Sequence, residues 1–208
     1  TRIRGEEAVH EYAYAQFPPY EIISSKYISS DELYRLRDIE MLVDRYYNSG
    51  YFKMTINYVV ELDSFKTPFE FFEKFSDFWT VQGYFDVGKS RDQLFEILLM
   101  FLKPYDQTNR LTEWIKFDFL SLGVTRLPEY LKDHTPDKEW IFEFLKEPTN
   151  ISRYLPEYNH LAAKKVFTKV KFQYFSSEFM HCLTGKYPLE NKTEGLIVFA
   201  EKKYRILK

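Results

Sequence analysis

The stretch TPFEFFEKFSDFWT (residues 67–80) runs on into Gly83-Tyr84-Phe85-Asp86-Val87-Gly88-Lys89-Ser90. Two folds compete for it. Gly83–Ser90 fits the pattern G-x-x-x-x-G-K-[ST], a loop whose backbone N–H groups cradle phosphates between a strand and a helix. Residues 67–80 argue against that. Thr67 suits an N-cap, Pro68 the first helical position and Glu70 the third, which together predict a helix start with a capping box. Phe72, Phe75 and Trp79 then recur on one side. A helix, not a strand, precedes the glycines. Asp86 would repel a phosphate, and Tyr84 and Phe85 are bulky where the backbone must wrap closely. The expectation is a helix–helix connection, with nucleotide binding at 83–90 as the third-ranked reading. Glu70, Glu73 and Asp77 form an acidic stripe on the same helix. No histidine accompanies it, so it reads as a solvated face.

Working outward, helices follow on both sides. Phe17-Pro18-Pro19-Tyr20 breaks regular structure, because proline lacks an N–H and restricts its predecessor. Tyr20 to Ser24 reads as extended. Ser29 and Ser30 precede Asp31-Glu32, a helix start with acids at the positive end of the dipole. Leu33, Leu36, Ile39, Val43 and Tyr46 continue at helical spacing, and Asn48-Ser49-Gly50 ends the helix with a glycine suited to the left-handed position. Further helices are predicted over 51–62, from Ser90, over 109–121 and over 136–146. The one from Ser90 carries Leu94, Phe95, Leu98, Phe101 and Leu102 and is expected to be the most buried. Near residue 160 the period changes to two. Val166 to Tyr174 alternates, Leu196 to Ala200 is a second strand and Tyr204 to Leu207 a weaker third. They should pair antiparallel, with 20–24 as a candidate partner. The predicted class is α+β: a mainly α-helical domain with a small antiparallel β-sheet contributed mostly by the C-terminal third.

Composition excludes several function classes. One cysteine in 208 residues, Cys182, rules out an internal disulfide framework and most thiolate metal sites,. The longest apolar run, Ile97 to Leu102, is too short to span a bilayer. No secretory signal opens the chain, so the expected compartment is the cytoplasm. Aromatics make up 19% of residues, which reads as a Phe/Tyr-packed core. Charge is divided: residues 1–159 hold 19 Lys+Arg against 27 Asp+Glu, and residues 160–208 hold 10 against 4. Such blocks attract each other across a fold, or a basic tail meets an acidic partner. Lys164, Lys165, Lys169 and Lys171 interleave with Phe167, Phe172 and Tyr174. Base stacking uses such strands, but the whole chain is slightly acidic, at −2. The favoured reading is lysines facing solvent along a strand edge, and nucleic acid is disfavoured. The four histidines form no metal-binding spacing.

Several segments in order carry a family resemblance. They are Thr1-Arg2-Ile3-Arg4; Pro18-Pro19-Tyr20-Glu21; Leu36-x-x-Ile39-Glu40 with Tyr46-Tyr47-Asn48-Ser49-Gly50; Phe78-Trp79 with Gly83; Lys116-Phe117-Asp118-Phe119; Arg126-Leu127-Pro128-Glu129; and Tyr154-Leu155-Pro156-Glu157. Together they resemble the uncharacterised C-terminal domain of cobalamin-binding radical S-adenosylmethionine enzymes, proteins often labelled magnesium-protoporphyrin IX monomethyl ester oxidative cyclases. The resemblance covers most of residues 1–175. It implies a parent with a cobalamin-binding domain, then a radical barrel whose C-x-x-x-C-x-x-C motif holds an iron–sulfur cluster that cleaves S-adenosylmethionine. Thr1 to Arg4 resembles the end of a late barrel loop. Residues 1–20 are then expected to be the junction with that barrel, with Ile3, Tyr12, Tyr14 and Phe17 packing there, and residues 21–208 a single accessory domain.

The implied role is a lid, a substrate-shaping element or a docking surface, with the upstream domains as partners. The chain itself is expected to hold no cofactor and to be inactive alone, while the parent is an oxidoreductase, cyclase or methyltransferase. No catalytic, cofactor or metal residue carries over. The family-motif positions are Arg4, Pro18, Pro19, Tyr46, Tyr47, Asn48, Ser49, Gly50, Asp118, Arg126, Pro128 and Pro156. The alternative is a stand-alone binding module using the basic C-terminal region.

Overall fold

A computed structural model describes residues 5–60, 62–106, 110–131, 134–185 and 194–207. Its helices are α1 (Glu7–His10), α2 (Ser30–Leu42), α3 (Lys53–Val60), α4 (Pro68–Val81), α5 (Arg91–Leu102), α6 (Arg110–Ser121), α7 (Lys138–Lys146), α8 (Pro148–Tyr154), α9 (Ala163–Phe167) and α10 (Ser177–Thr184). Its strands are β1 (Ala13–Tyr14), β2 (Ile22–Ser24), β3 (Val170–Ser176), β4 (Glu194–Ala200) and β5 (Lys203–Leu207). The α+β class holds. The chain divides into two compact units, Thr1–Ser49 with Lys66–Val87, and Gly50–Phe65 with Gly88–Lys208.

In the first unit, α2 starts as its sequence dictates. The Ser29 hydroxyl accepts the Glu32 N–H, and the Glu32 carboxylate accepts the Ser29 N–H at 2.9 Å. α4 starts differently in one respect. Thr67 caps it by accepting the Glu70 N–H at 3.1 Å, but the Glu70 carboxylate reaches past Thr67 to the Lys66 N–H at 2.8 Å. The Lys74 ammonium, 2.8 Å away, holds it there as well. Between these helices, Arg35 meets Asp77 at 3.0 Å and Glu73 at 3.3 Å, so a cation from α2 answers the acidic stripe. Phe71, Phe75 and Trp79 of α4 are fully buried, as is Leu42 of α2. Residues 22–24 pair antiparallel with β1 and not with the C-terminal strands. Phe17 is 77% exposed, Tyr12 and Tyr14 are half-buried, and Ile3 lies outside the described residues.

The glycine loop is a helix–helix connection. α4 runs to Val81, Gly83 turns the chain at φ +64°, and Tyr84–Asp86 form a single 3₁₀ turn. Ser90 then caps α5, with its N–H donated to Gln93 Oε1 at 2.8 Å and its hydroxyl accepting the Gln93 N–H. The Ser90 N–H and hydroxyl, which a phosphate-binding loop would turn to its ligand, are committed to a capping box,. Lys89→Ala is therefore expected to change stability by less than about 0.5 kcal/mol, as at ordinary surface sites. Calorimetry should detect no micromolar ATP binding; ATP heat that vanishes in the variant would restore the nucleotide reading.

In the second unit, β3, β4 and β5 form one antiparallel sheet in that order, with Phe172 opposite Val198 and Val198 opposite Arg205. The period-two pattern overreaches at its start. Residues 163–167 are helical, with the Lys165 and Val166 N–H groups both donated to Ala162 O, and β3 begins only at Val170. The sheet is covered on both faces. Val170, Phe172, Val198 and Ala200 pack with Ile141, Leu145, Leu155 and Tyr158. Phe175, Ile197 and Phe199 pack with Trp114, Phe117 and Phe179. The outer edge of β3 is blunted by the loop before α7, where the Tyr174 N–H donates to His134 O at 2.8 Å,. Gly123 must be glycine. Its φ is +84°, and a Cβ there would stand 2.5 Å from the Glu201 carbonyl oxygen in the β4–β5 turn,.

The most enclosed helix is α6, not α5: every residue from Trp114 to Leu120 is buried, Lys116 and Asp118 included. Those two polar residues disguise a core helix in a hydropathy reading. The basic tail also meets its acidic complement, since Arg205 grips Glu157 through two bonds of 3.0 and 2.9 Å,. Among the described residues no helix is long and apolar enough to cross a membrane.

Candidate functional site

The Tyr46-Tyr47-Asn48-Ser49-Gly50 segment is the end of a π-helical stretch, Val43–Asn48, that continues α2. The Ser49 N–H donates to Asp44 O at 3.0 Å, five residues back, and the Asn48 amide donates to Asp44 Oδ1 at 2.6 Å. Widening the helix turns Tyr46 inward and leaves Tyr47 60% exposed. π-Bulges of this kind gather at functional sites. Tyr46 is fully buried, 4.8 Å from Phe75 and 6.1 Å from Trp79 between ring centroids. Burial holds its phenol protonated far above the usual range, with the Arg45 guanidinium and the Trp79 indole pulling the other way. It is a packing anchor and no base at neutral pH. Arg45 lies 5.2 Å over the Trp79 ring, and its buried Nη1 has no hydrogen-bond partner among the described residues. The face of the ring takes that role through a cation–π contact. Gly50, at φ +71°, ends the turn three residues before α3.

Asp118 is the second motif residue with a defined task. It sits on α6, 4% exposed, and its carboxylate accepts the Met54 N–H at 3.1 Å, the Thr55 N–H at 2.7 Å and the Thr55 hydroxyl at 2.7 Å. Those N–H groups belong to the first turn of α3, which lacks intrahelical acceptors. Asp118 is therefore a cap supplied from a different helix. Burial pushes its carboxyl up to about 6, against the opposing pull of the Thr55 and Met54 bonds. Asp118 thus fastens the start of α3, sixty-odd residues earlier in the chain.

The remaining motif positions are structural or exposed. Pro18 and Pro19 are exposed and joined by a cis peptide bond in the β1–β2 connection. Arg126 is exposed and Pro128 half-buried, with Pro128 O accepting the Leu131 N–H at 3.0 Å. Pro156 opens a 3₁₀ turn, Pro156–Tyr158. Arg4 lies outside the described residues. Among the described residues no three His, Cys, Asp or Glu side chains are grouped to hold a metal.

A cleft of about 360 Å³ lies in the second unit where the start of α7 faces the turn from α9 into β3. Thr125, Thr135, Lys138, Thr168 and Lys171 line it together with Ile141 and Phe172, and the Thr168 hydroxyl donates to Lys165 O at 2.9 Å. The lysine–aromatic segment lies partly here: Lys164, Lys165 and Lys169 are exposed, as expected, while Lys171 is half-buried and Phe172 fully buried. Thr125, Thr135, Pro136 and Lys138 line its other side, and the sequence gives none of them a functional role, because they meet the turn into β3 only in the folded chain.

The family of proteins of unknown function DUF4080 matches residues 8–199. No curated protein and no solved structure matches the chain. The matched span contains the π-helical segment, the Asp118 cap and the cleft, and the chain is a member of the DUF4080 family.

Proposed function

We propose that this DUF4080 chain is an accessory domain of a cobalamin-dependent radical S-adenosylmethionine enzyme, acting on substrate access or on docking of the upstream barrel. The observation that carries the reading is the ordered run of motif segments from Pro18 to Glu157, all of which fall inside the matched span. Iron–sulfur cluster, S-adenosylmethionine and cobalamin would belong to the parent's other domains. Such chemistry requires a closed site, because water and oxidants quench radical intermediates. A domain held by internal caps such as Asp118 suits a rigid cover.

The test starts from the complete reading frame, which should carry a C-x-x-x-C-x-x-C motif upstream of Thr1. Deleting the domain from that protein should leave reductive cleavage of S-adenosylmethionine intact and lower turnover of the organic substrate at least about tenfold, the scale of lost positioning. A frame without the cysteine motif, or turnover indifferent to the deletion, overturns the reading. The cleft favours the binding-module alternative, and that reading needs no parent enzyme.

A further inference from the structure

We propose that the outer edge of β5 receives an extended acidic peptide segment of another protein, which adds a fourth strand to the β3-β4-β5 sheet. The two edges of that sheet are finished differently. At β3 the chain closes its own edge, because the Tyr174 N–H is donated outward to His134 O. At β5 Ala200 faces Lys203 across the two-residue turn Glu201-Lys202, and such a turn closes on a hydrogen-bonded pair. Bonding then alternates along the strand. Lys203, Arg205 and Leu207 turn their N–H and C=O groups to β4, and Tyr204 and Ile206 turn theirs outward. The same alternation, carried across β4 to β3, points Tyr174 outward, where it meets His134. Among the described residues no backbone hydrogen bond reaches the outward groups of Tyr204 and Ile206. An extended strand is the ligand whose own N–H and C=O groups match that row.

Side chains select which strand. Tyr204 is 42% exposed, with its ring 4.8 Å from that of Phe117 on α6, and Ile206 is half-buried against the cluster that holds Phe117 and Phe199. Residues of an incoming strand opposite these two share their face and gain by being apolar. The other face carries charge. Residues 201–207 hold three cations and one acid, Glu201. Arg205 is held by Glu157, and the Glu201 carboxylate lies 3.5 Å from the Tyr158 hydroxyl. Lys202 and Lys203 are exposed and form no ion pair among the described residues. Acids at alternate positions of the incoming strand meet that charge. A second copy of the chain fits less well. The two-fold pairing that engages the outward groups of both Tyr204 and Ile206 sets Arg205 opposite Arg205, and like charges directly opposed are destabilising. Lysines on an edge deter pairing between copies, and the same lysines attract an acidic strand. The inference goes beyond the accessory-domain reading and does not depend on it, because this chain alone supplies the edge.

Calorimetry and NMR amide exchange on the full chain test it with three capped peptides: EVEVEVE, KVKVKVK, and EVEVEVE with every valine N-methylated. The first should bind with a dissociation constant of about 10–500 µM, and the other two at least about tenfold more weakly. The N-methylated peptide keeps charge and side chains but loses the N–H groups that would face β5. Saturation with EVEVEVE should slow amide exchange at Tyr204 and Ile206 at least about tenfold, since their N–H groups become bonded. Reversing the two exposed lysines together, Lys202→Glu with Lys203→Glu, should weaken EVEVEVE about tenfold and tighten KVKVKVK. An N-methylated peptide that binds as tightly would mean a charged surface and no added strand. Equal binding of KVKVKVK, or indifference to the charge reversal, would remove the acidic partner. Sedimentation of a dimer whose Tyr204 and Ile206 amides are already protected would mean that a second copy takes the edge. Each of these results overturns the proposal, as does protection elsewhere or no binding up to millimolar concentrations.

Discussion

Asp118→Ala should cost about 3 kcal/mol in urea unfolding at neutral pH. The substitution does more than open a small hole. It strands the Met54 and Thr55 N–H groups in the interior, where Asp118 accepts both, and each buried unsatisfied donor costs about 1–3 kcal/mol. Relief of the buried charge offsets part of that. Asp118→Asn should recover less than half, since its amide presents a donor to donors. The pH dependence has a definite sign. The folded protein holds the Asp118 proton more tightly than the unfolded chain, at about 6 against about 3.9 for an ordinary Asp. The stability this group contributes is therefore full below about pH 4 and is lost as pH rises through 6. The gap between the native protein and Asp118→Ala should widen as pH falls from 7 to 4.5, by about 2 kcal/mol. Titrations of other carboxylates cancel in that difference. A gap that narrows on acidification, or a cost under about 0.5 kcal/mol at pH 7, would refute the capping role.

Trp79→Ala should be the most damaging single change in the first unit, at about 4 kcal/mol, within the range for large aromatic truncations. Trp79 has no exposed surface. Its ring meets Tyr46 and Phe75 at 6.1 Å each, Tyr84 at 5.7 Å and Phe85 at 5.2 Å. It also faces the guanidinium of Arg45. Removing it leaves a cavity and strands a buried cationic nitrogen. Trp79→Phe restores a ring face and most of the volume, so about 1–2 kcal/mol is expected. Thermal melts followed by near-ultraviolet dichroism measure both. An alanine variant within about 1 kcal/mol of the native protein would show that the π-helical segment is not anchored on this ring.

Local signals were legible where one turn of chain settles the structure. Thr67-Pro68, Ser29 and Ser90 announce their helices because a cap bonds to backbone within three residues. Gly50 announces a stop because only glycine takes a positive φ freely,. Val170 to Tyr174 alternates and lies in β3, and Leu196 to Ala200 is an all-apolar strand. The same signal misled at 166–169, where side chains alternate in a segment that coils into α9 and a turn. Tyr20 to Ser24 has the composition of a strand, yet its partner is β1, the nearest strand in the chain.

The candidate site was legible only in pieces. Tyr46 and Asp118 were marked by motif, but their tasks were not readable. One needs the register of a π-helix, and the other needs a helix sixty-odd residues away. The lysine–aromatic run was visible as a pattern, while nothing in the sequence gave Thr125, Thr135 and Lys138 a functional role.

By itself the sequence determined the class, the capped starts of α2, α4 and α5, the antiparallel C-terminal strands and membership of the DUF4080 family. These follow from backbone capping, side-chain period and residue order, all of which act over a few neighbouring residues. Tertiary structure alone decided that α6 and not α5 is the enclosed helix, that the sheet is buried on both faces, and that Lys138 and Lys171 line one cleft with Ile141 and Phe172. Those outcomes depend on which elements meet. A buried Asp on α6 becomes tolerable only when the N-terminus of α3 arrives to donate to it, and residues at the start of β3 line a cleft only when α7 supplies its other side.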